Sequence, residues 1–452
     1  MSTEIPILYN QINKEFNATL ANAAEGEYVP KPKALSRYSR LRQNAIAEMQ
    51  FNNLSAKNYL EEKSTNLVKE YSISKLEAMN IVLEVQATEK NLKDKGVYFG
   101  NEVFNFAINR PIISRDEEQK IIKASNSAMA ILDKSATSDL RSLFAGQKMF
   151  PIEERFEDNL LSPDAARIDF ILTENGPKII EINSQWVDAI NALSGFASVM
   201  GGDVKTVRLV INKFVQSFPK NSSLALININ QTSGSRELGA TKELEFLAKN
   251  LMQTDLLRRC EVIDPNKVRL SYLNEFNSFY VNCDPRALGY NEPDWMDLIL
   301  KRVSENPKAM FPSWRPLLDK KVALTLIPNT ESFIVPTIPV SNYKDSNCPV
   351  VIKGDGYSLN SVVTSFDDNF QEFLKSARQE PSIYMVQPFL ECKRFSTWAY
   401  DSSAKKIKYI KDGYTKLNVW WLDGQVVGML MTVSDSPLIS DKGYNVYPLI
   451  KN

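Results

Sequence analysis

Two short strand-like runs, at 168–172 and 178–182, most limit the folds open to this chain. Both are rich in isoleucine and other apolar residues, which is typical of β-strands. The Glu-Asn-Gly-Pro sequence at 174–177 that separates them contains strong turn-forming residues. Together the three segments predict a β-hairpin.

The polar side chains of this hairpin form two pairs. Arg167 and Asp169 lie two positions apart on the first strand, and Glu181 and Asn183 lie two apart on the second. Because strand side chains alternate between faces, each pair shares one face of the hairpin. The interleaved side chains are apolar and are expected to pack on the core: Ile168, Phe170, Ile180 and Ile182.

Two carboxylates and an amide oxygen make a donor set of the kind that Mg²⁺ prefers, with coordination positions left for phosphate oxygens and water. Arg167 beside them is suited to a bidentate grip on a phosphate or a carboxylate. The polar face is therefore a candidate magnesium and phosphate site. The alternative interpretation is a solvated face held by salt bridges.

The rest of the chain predicts several lobes, because 452 residues exceed what one hydrophobic core usually organises. Residues 35–92 are rich in helix formers with apolar residues near 3.6 spacing, which predicts a helical N-terminal region. Ser114, followed by Arg-Asp-Glu-Glu, predicts an N-cap and a helix running through Leu132.

The second half of the chain predicts an α+β or α/β fold. A strand at 223–229, a polar loop and an amphipathic helix at about 240–251 indicate a Rossmann-like lobe, which short strands near Val262 and Val268 continue. The Asp-Gly pair at 423–424 predicts a tight hairpin turn. Further strands are predicted at Val350–Lys353, Ile383–Val386, Phe395–Tyr400, Lys406–Ile410, Leu417–Leu422 and Gln425–Met431.

Charge and residue usage exclude several classes of function. The 54 basic and 54 acidic residues cancel, so no net field attracts a nucleic acid. No segment approaches the roughly 20 apolar residues of a membrane-spanning helix, and residues 1–10 lack the features of a secretory signal. We therefore expect a cytoplasmic protein with no nucleic-acid or membrane partner. The cysteines form no CxxC motif and are expected to be buried thiols: Cys260, Cys283, Cys348 and Cys392.

Histidine is absent from the sequence. This excludes Ser–His and Cys–His nucleophilic pairs, histidine general bases and histidine metal ligands. Catalysis by this chain must therefore rely on carboxylates, lysines, arginines, hydroxyls and a hard metal ion.

The hairpin carries a family resemblance. Arg-Ile-Asp-Phe, ten further residues and then Glu-Ile-Asn resemble the R-x-D … E-x-N signature of the glutathionylspermidine synthase family, a circularly permuted branch of the ATP-grasp enzymes. The resemblance covers roughly residues 110–452. It implies that Asp169, Glu181 and Asn183 hold magnesium, and that Arg167 contacts the reacting centre.

Two lysines are candidates for nucleotide binding. Lys353 ends an apolar strand and precedes a Gly-rich turn whose backbone N–H groups are suited to phosphates. The candidate ligands in that turn are Gly354, Gly356 and Ser358. Lys321 matches the family segment that bears the other nucleotide lysine. The alternative is that both lysines are ordinary surface residues.

The segment Tyr-Met-Val-Gln-Pro-Phe-Leu-Glu at 384–391 resembles the linker that binds adenine in ATP-grasp proteins. Proline has no N–H, so the donor to adenine is expected from the backbone of Phe389 or Leu390. Gln387 is expected to shape the pocket or to contact the nucleotide. Arg394 is a candidate phosphate ligand, with an ordinary ion pair as the alternative.

The chain also departs from the family pattern. An Arg-Glu pair of the Gly-rich loop is replaced by Tyr-Ser-Leu at 357–359, and the family's late Ile-Arg is replaced by Met-Thr, ending at Thr432. Trp186 and its neighbours replace the usual small residues after Glu-Ile-Asn. We expect these changes to affect substrate identity more than metal or ATP binding.

The resemblance implies an ATP-dependent carboxylate–amine ligase that acts through an acyl-phosphate, with ATP and Mg²⁺ as cofactors and small molecules as partners. The alternatives are another ATP-grasp reaction, such as peptide or natural-product ligation or enol activation, and a nucleotide-binding protein without catalysis. The sequence carries no prediction of oligomeric state. The expected regions are helical (1–145), a first ATP-grasp part with the metal-binding hairpin (146–215), a Rossmann-like lobe (216–305) and a nucleotide-binding lobe (306–452).

Overall fold

The computed structural model describes residues 54–99, 102–134, 154–155, 164–183, 190–228, 237–281, 294–311, 318, 321–344, 348–354, 362–379, 384–439 and 443–451. The α-helices are α1 (Leu54–Tyr71), α2 (Lys75–Asp94), α3 (Arg115–Lys134), α4 (Ile190–Phe196), α5 (Val204–Gln216), α6 (Glu237–Leu251), α7 (Leu270–Leu273), α8 (Asp294–Glu305) and α9 (Phe370–Ala377). A 3₁₀ helix spans Lys321–Leu326.

The strands are β1 (Tyr98–Phe99), β2 (Glu102–Val103), β3 (Phe106–Ala107), β4 (Ile112–Ser114), β5 (Ala165–Thr173), β6 (Gly176–Asn183), β7 (Ser222–Ile227), β8 (Leu257–Ile263), β9 (Ser278–Val281), β10 (Met310–Phe311), β11 (Ile338–Pro339), β12 (Val350–Gly354), β13 (Val362–Thr364), β14 (Tyr384–Pro388), β15 (Phe395–Asp401), β16 (Lys406–Leu422), β17 (Gln425–Ser434), β18 (Tyr444–Val446) and β19 (Leu449–Lys451).

The chain divides into two compact units between Asn91 and Leu92. The described part of the first unit is helical, with α1 and most of α2, as the sequence predicts. The short strands β1 to β4 lie between α2 and α3, inside the region 1–145 that the sequence predicts to be helical. The predicted region boundaries stay predictions. None of the described helices is long and apolar enough to cross a membrane.

Helix α3 begins where the sequence predicts. Ser114 Oγ accepts a hydrogen bond from Glu117 N at 3.2 Å, and Glu117 Oε2 accepts one from Ser114 N at 3.0 Å. This reciprocal pair is a capping box, which satisfies two backbone donors that the first helical turn leaves open. The apolar face of α3 packs into the core of the large sheet: Ile121, Ala124, Ala128, Met129 and Leu132.

The large sheet has the strand order β15-β3-β18-β17-β16-β5-β6, with β15 also paired to β16. The first half of β16 pairs with β15, and its second half lies between β17 and β5. Five strands therefore form a closed circuit of pairing. The sequence predicts two strands here, at 406–410 and 417–422, and no strand between them. In the structure Gly413 pairs with β15, and residues 414–416 pair with β17, so the two predicted strands are one.

Two turns in this sheet follow the local sequence. Asp423 and Gly424 both have positive φ, 43° and 78°, as the predicted Asp-Gly hairpin turn requires. The hairpin of β5 and β6 also forms, with Arg167 opposite Asn183 and Asp169 opposite Glu181.

A β-bulge changes the second strand of that hairpin. The register shifts after Asp169, so Phe170 pairs with Ile179 and Ile180 is the extra residue. The expectation that Ile180 packs in the core is therefore wrong: Ile179 is fully buried there, and Ile180 is only partly buried. The core side is completed by Ile168, Phe170 and Ile182, as predicted.

A second sheet is parallel throughout, with the order β10-β9-β7-β8, and α6 connects β7 to β8. This arrangement agrees with the predicted Rossmann-like pattern of strand, loop and helix. The prediction of a strand near Val268 is wrong, because Val268 lies in the turn region between β8 and α7. Asp264 accepts a hydrogen bond from Asn266 N at 3.0 Å, and this turn leads the chain into α7.

The third sheet is small and antiparallel, in the order β11-β14-β12-β13, and α9 covers it. Strand β12 ends at Gly354, where a Cβ atom would lie 2.5 Å from the ring of Tyr384. Glycine is therefore required for the ring to lie against this backbone. The sheet brings Lys353 of β12 and Gln387 of β14 into contact with the hairpin.

Candidate active site

Asp169 lies at the centre of the polar face of the hairpin, with only 1% of its side chain exposed. Its Oδ1 accepts a hydrogen bond from Arg167 Nε at 3.1 Å, and its Oδ2 accepts one from Lys416 Nζ at 2.9 Å. Arg167 comes from the same strand, whereas Lys416 comes from the neighbouring strand β16. One buried carboxylate is thus shared by two cations.

Glu181 lies opposite Asp169 and is also shared by two cations. Its Oε1 is 3.9 Å from Lys321 Nζ, and its Oε2 is 3.9 Å from Lys353 Nζ. These distances are ion-pair distances, longer than a direct hydrogen bond. The sequence-predicted lysines therefore meet the predicted metal ligand, although they come from the 3₁₀ helix and the small sheet.

The bulge supplies the backbone contact between the hairpin and the small sheet. Ile180 O accepts hydrogen bonds from Lys353 Nζ at 3.0 Å and from Gln387 Nε2 at 3.3 Å. Gln387 Nε2 also donates to Thr337 Oγ1 at 3.0 Å. Gln387 is therefore held by the protein and shapes the wall of the site.

Burial and charge change the titration of these groups. Burial alone would raise the pKa of Glu181, but Lys321 and Lys353 outweigh it and lower that pKa to about 2. Burial lowers the pKa of Lys353 to about 8, against the opposing effect of Glu181. Burial also acts to lower the pKa of Lys416, yet Asp169 outweighs it and the pKa is raised. Glu181 is therefore a carboxylate at neutral pH.

Asn183 completes the predicted metal-binding set at the open end of the hairpin. Its Nδ2 atom is buried and has no hydrogen-bond partner among the described residues. Which atom of an amide is N and which is O is assigned from hydrogen-bond partners. Rotating the Asn183 amide by 180° would place Oδ1 where Nδ2 now lies. Within the described ranges, no group of three or more acidic or cysteine side chains has a metal-binding arrangement. The oxygen donors of Glu181, Asn183 and Asp169 fit a hard cation such as Mg²⁺.

The polar face continues beyond Lys416 along the large sheet. Asn418 Nδ2 donates to Thr432 Oγ1 at 2.8 Å, and Thr432 Oγ1 donates to Asn445 Oδ1 at 3.0 Å. Sequence reasoning did not single out Lys416, Asn418 or Asn445. For Lys416 and Asn418, the sequence signal was that they alternate with apolar residues along β16, which places both side chains on one face of the strand.

The linker after β14 offers one of the two predicted backbone donors. Phe389 N already donates to Pro349 O at 2.8 Å. Leu390 N donates to no described residue, so Leu390 is the remaining candidate donor to adenine. The ring of Phe366 lies edge-on to that of Phe389, with centroids 5.1 Å apart, beside this linker.

The remaining predicted ligands make other contacts, follow Lys353 in β12 or lie outside the described residues. Arg394 forms an ion pair with Glu391 at 3.2 Å and stacks on Tyr414, 3.3 Å from its ring centroid, which matches the ordinary ion-pair alternative. Gly354 ends β12 directly after Lys353. Gly356, Ser358 and Trp186 lie outside the described residues.

The cysteines differ in exposure. Cys392 is buried, as expected, and accepts a hydrogen bond from Thr415 N at 3.3 Å. Cys260 is partly buried, and burial raises its pKa to about 12. Cys348 is exposed, so the expectation of a buried thiol is wrong there, and Cys283 lies outside the described residues.

Comparisons with known proteins show the fold. No family model matches the chain, and no curated protein matches it. A solved structure of a glutathione synthetase-like effector from Globodera pallida, in its apo form, aligns with a TM-score of 0.51 at 9% identity, over 81% of this chain and 96% of that chain. A putative γ-glutamylcysteine synthetase from Methylobacillus flagellatus aligns with a TM-score of 0.36 at 13% identity, over 66% of this chain and 84% of that chain. The fold of this chain is therefore mixed α/β and ATP-grasp-like.

Proposed function

We propose that this ATP-grasp-like chain is an ATP-dependent ligase that joins a carboxylic acid to an amine through an acyl-phosphate. The observation that carries the proposal is the position of Glu181 between Lys321 and Lys353. These three groups carry a net charge of +1 in a largely buried place where the small sheet meets the hairpin. Such a place favours a polyanion such as a triphosphate.

The small sheet has a layout suited to a nucleotide. Val350 pairs with Pro388 at the linker end, and Lys353 pairs with Met385 three residues further along β12. At the rise of a β-strand, the two ends are about 10 Å apart. Leu390 N–H can thus meet the base while Lys353 meets the phosphates. This separation supports ATP as the ligand.

Asp169, Glu181 and Asn183 would hold Mg²⁺ in this proposal. When bound, the metal supplies a Lewis acid that neutralises phosphate charge. Lys321 and Lys353 contribute further positive charge from the other side of Glu181. Arg167 lies beside Asp169, where its guanidinium can stabilise the negative charge that develops on the reacting carboxyl oxygen.

The reaction has two steps in this proposal. A carboxylate oxygen of the acid attacks the γ-phosphorus of ATP, the bond to the bridging oxygen breaks, and ADP leaves with the electron pair. The nitrogen of the amine then attacks the acyl carbon, phosphate leaves with the C–O electron pair, and the nitrogen releases a proton to solvent. The products are an amide, ADP and phosphate, and no histidine takes part.

The proposal is tested with the full-length protein. Isothermal titration calorimetry with ATP and Mg²⁺ measures binding, and a panel of carboxylic acids and amines is then screened for ADP release. We expect ATP to bind and ADP release to require Mg²⁺, one acid and one amine together. ATP binding without ADP release for any pair would overturn the ligase and support the nucleotide-binding alternative.

A further inference from the structure

The two carboxylates of the site divide its cations into two groups. Lys321 and Lys353 contact Glu181 from the 3₁₀ helix and the small sheet. Arg167 and Lys416 contact Asp169 from the large sheet itself. The proposed nucleotide site accounts for the first group. In the second group, Arg167 is assigned to the reacting carboxyl, and Lys416 has no assigned ligand.

Lys416 is placed to bind an anion. Its side chain is 13% exposed, so Lys416 is mostly removed from water. Its Nζ donates to Asp169 Oδ2 at 2.9 Å, and an ammonium has three donors, so donors remain for a further acceptor. An anion in that position would be stabilised by a charge-assisted contact.

The sheet around Lys416 does not supply that anion. Its cross-strand neighbour on β17 is Thr432, and its neighbour two residues along the same strand is Asn418. Asn445 Nδ2 donates to a backbone carbonyl, Asn105 O, at 3.4 Å, so Asn445 Oδ1 must accept the Thr432 proton. Thr432 in turn accepts from Asn418. The neighbours are thus neutral and bonded to one another.

The second group also lies next to the first. Asp169 and Glu181 are direct cross-strand partners, and the Cα atoms of such partners are about 4.5–5.5 Å apart. An anion held by Lys416 and Arg167 would therefore lie beside phosphates held by Lys321 and Lys353. This is the relation that a carboxylate needs in order to attack a phosphate.

We propose that Lys416, together with Arg167, forms a second anion site that receives the reacting carboxylate of the acid substrate. The inference rests on the proposed ligase function and adds to it a substrate-binding residue. Lys416 binds the acid, whereas Lys321 and Lys353 bind the nucleotide. A change at Lys416 should therefore weaken binding of the second anion and leave nucleotide affinity unchanged.

The test uses inorganic phosphate as the probe, since it is a compact anion like a carboxylate. Full-length protein is saturated with Mg²⁺ and a non-hydrolysable ATP analogue, which fills the γ-phosphate position, and phosphate is titrated by calorimetry. We expect the dissociation constant for phosphate to rise about tenfold or more in Lys416→Met, as for a lost charge-assisted contact. Lys416→Gln, which retains a hydrogen-bond donor for Asp169, should show the same loss, and Lys416→Arg should retain binding.

Lys408→Met is the matched control, because Lys408 lies on the same strand and pairs with Asp435 at the surface. Its phosphate affinity should equal that of the wild type. Unchanged phosphate affinity in both Lys416→Met and Lys416→Gln, with normal affinity for the ATP analogue, would overturn the anion site alone. Failure of the wild-type protein to bind ATP or its analogue would instead overturn the proposed function.

Discussion

Replacement of Lys353 with methionine removes one charge from the nucleotide side of the site and leaves a side chain of similar length. In the wild type, Lys353 Nζ donates to Ile180 O at 3.0 Å and lies 3.9 Å from Glu181 Oε2. After the change, Ile180 O retains the donor Gln387 and Glu181 retains Lys321. Neither acceptor loses all of its partners, so the variant is expected to fold.

The effect on nucleotide binding follows from the burial of Lys353, whose side chain is 9% exposed. A hydrogen bond from a charged donor contributes roughly 1.5–3 kcal/mol. Its loss corresponds to an ATP dissociation constant about 10- to 150-fold higher. The effect on stability is smaller. The lost hydrogen bond from the Lys353 ammonium to Ile180 O costs about 1.5–3 kcal/mol, and removal of a desolvated cation offsets part of it.

Calorimetric titration of ATP with Mg²⁺ measures this loss, and thermal unfolding monitors the fold. Lys344→Met is the control, because Lys344 is an exposed lysine near the same small sheet. We expect the control to bind ATP as the wild type does. An unchanged ATP dissociation constant in a Lys353→Met variant that still unfolds cooperatively would refute the assignment of Lys353 to the nucleotide.

Three further outcomes are expected. Asp169→Ala and Glu181→Ala should each abolish Mg²⁺-dependent ADP formation with an unchanged circular dichroism spectrum, and wild-type turnover in either variant would contradict the metal assignment. Gly354→Ala should lower the free energy of unfolding by about 1–3 kcal/mol in urea titrations, because the new Cβ meets the Tyr384 ring at 2.5 Å, and Tyr384→Leu in the same chain should restore part of that loss. Glutathione with spermidine should not be a preferred substrate pair in ADP-release assays, since Thr432 stands where the glutathionylspermidine synthase family, which the hairpin sequence resembles, carries an arginine, and the two carboxylates of the tripeptide meet fewer cations. ADP release from that pair as efficient as from any other would show the reasoning on Thr432 to be wrong.

Several local elements were predictable because their causes lie within a few residues. Ser114 and Glu117 form the capping box that begins α3, and the Asp423–Gly424 turn has the positive φ angles that its residues favour. The shared face of Arg167 and Asp169, and that of Glu181 and Asn183, follow from the two-residue period of each strand. In each case short-range geometry left few alternatives.

The bulge at Ile180 was not predictable from that period. Alternation placed Ile180 in the core, yet Ile179 occupies the core and the carbonyl of Ile180 accepts from Lys353 and Gln387. These donors come from β12 and β14, more than 170 residues further along the chain. The sequence pattern of one hairpin contains no information about donors that arrive from another sheet.

The hairpin sequence by itself determined which polar side chains share a face within each strand, because side-chain alternation acts locally. The bulge at Ile180 decided that the two pairs meet on one face. Tertiary structure alone decided which cations meet the two acids. Lys321 and Lys353 meet at Glu181 from two separate elements, and Lys416 bonds Asp169 because β16 pairs with β5 in one particular register. A shift of that register by one residue would turn Lys416 to the opposite face. Long-range pairing, which depends on the packing of the whole sheet, therefore set the charge balance on which both proposals depend.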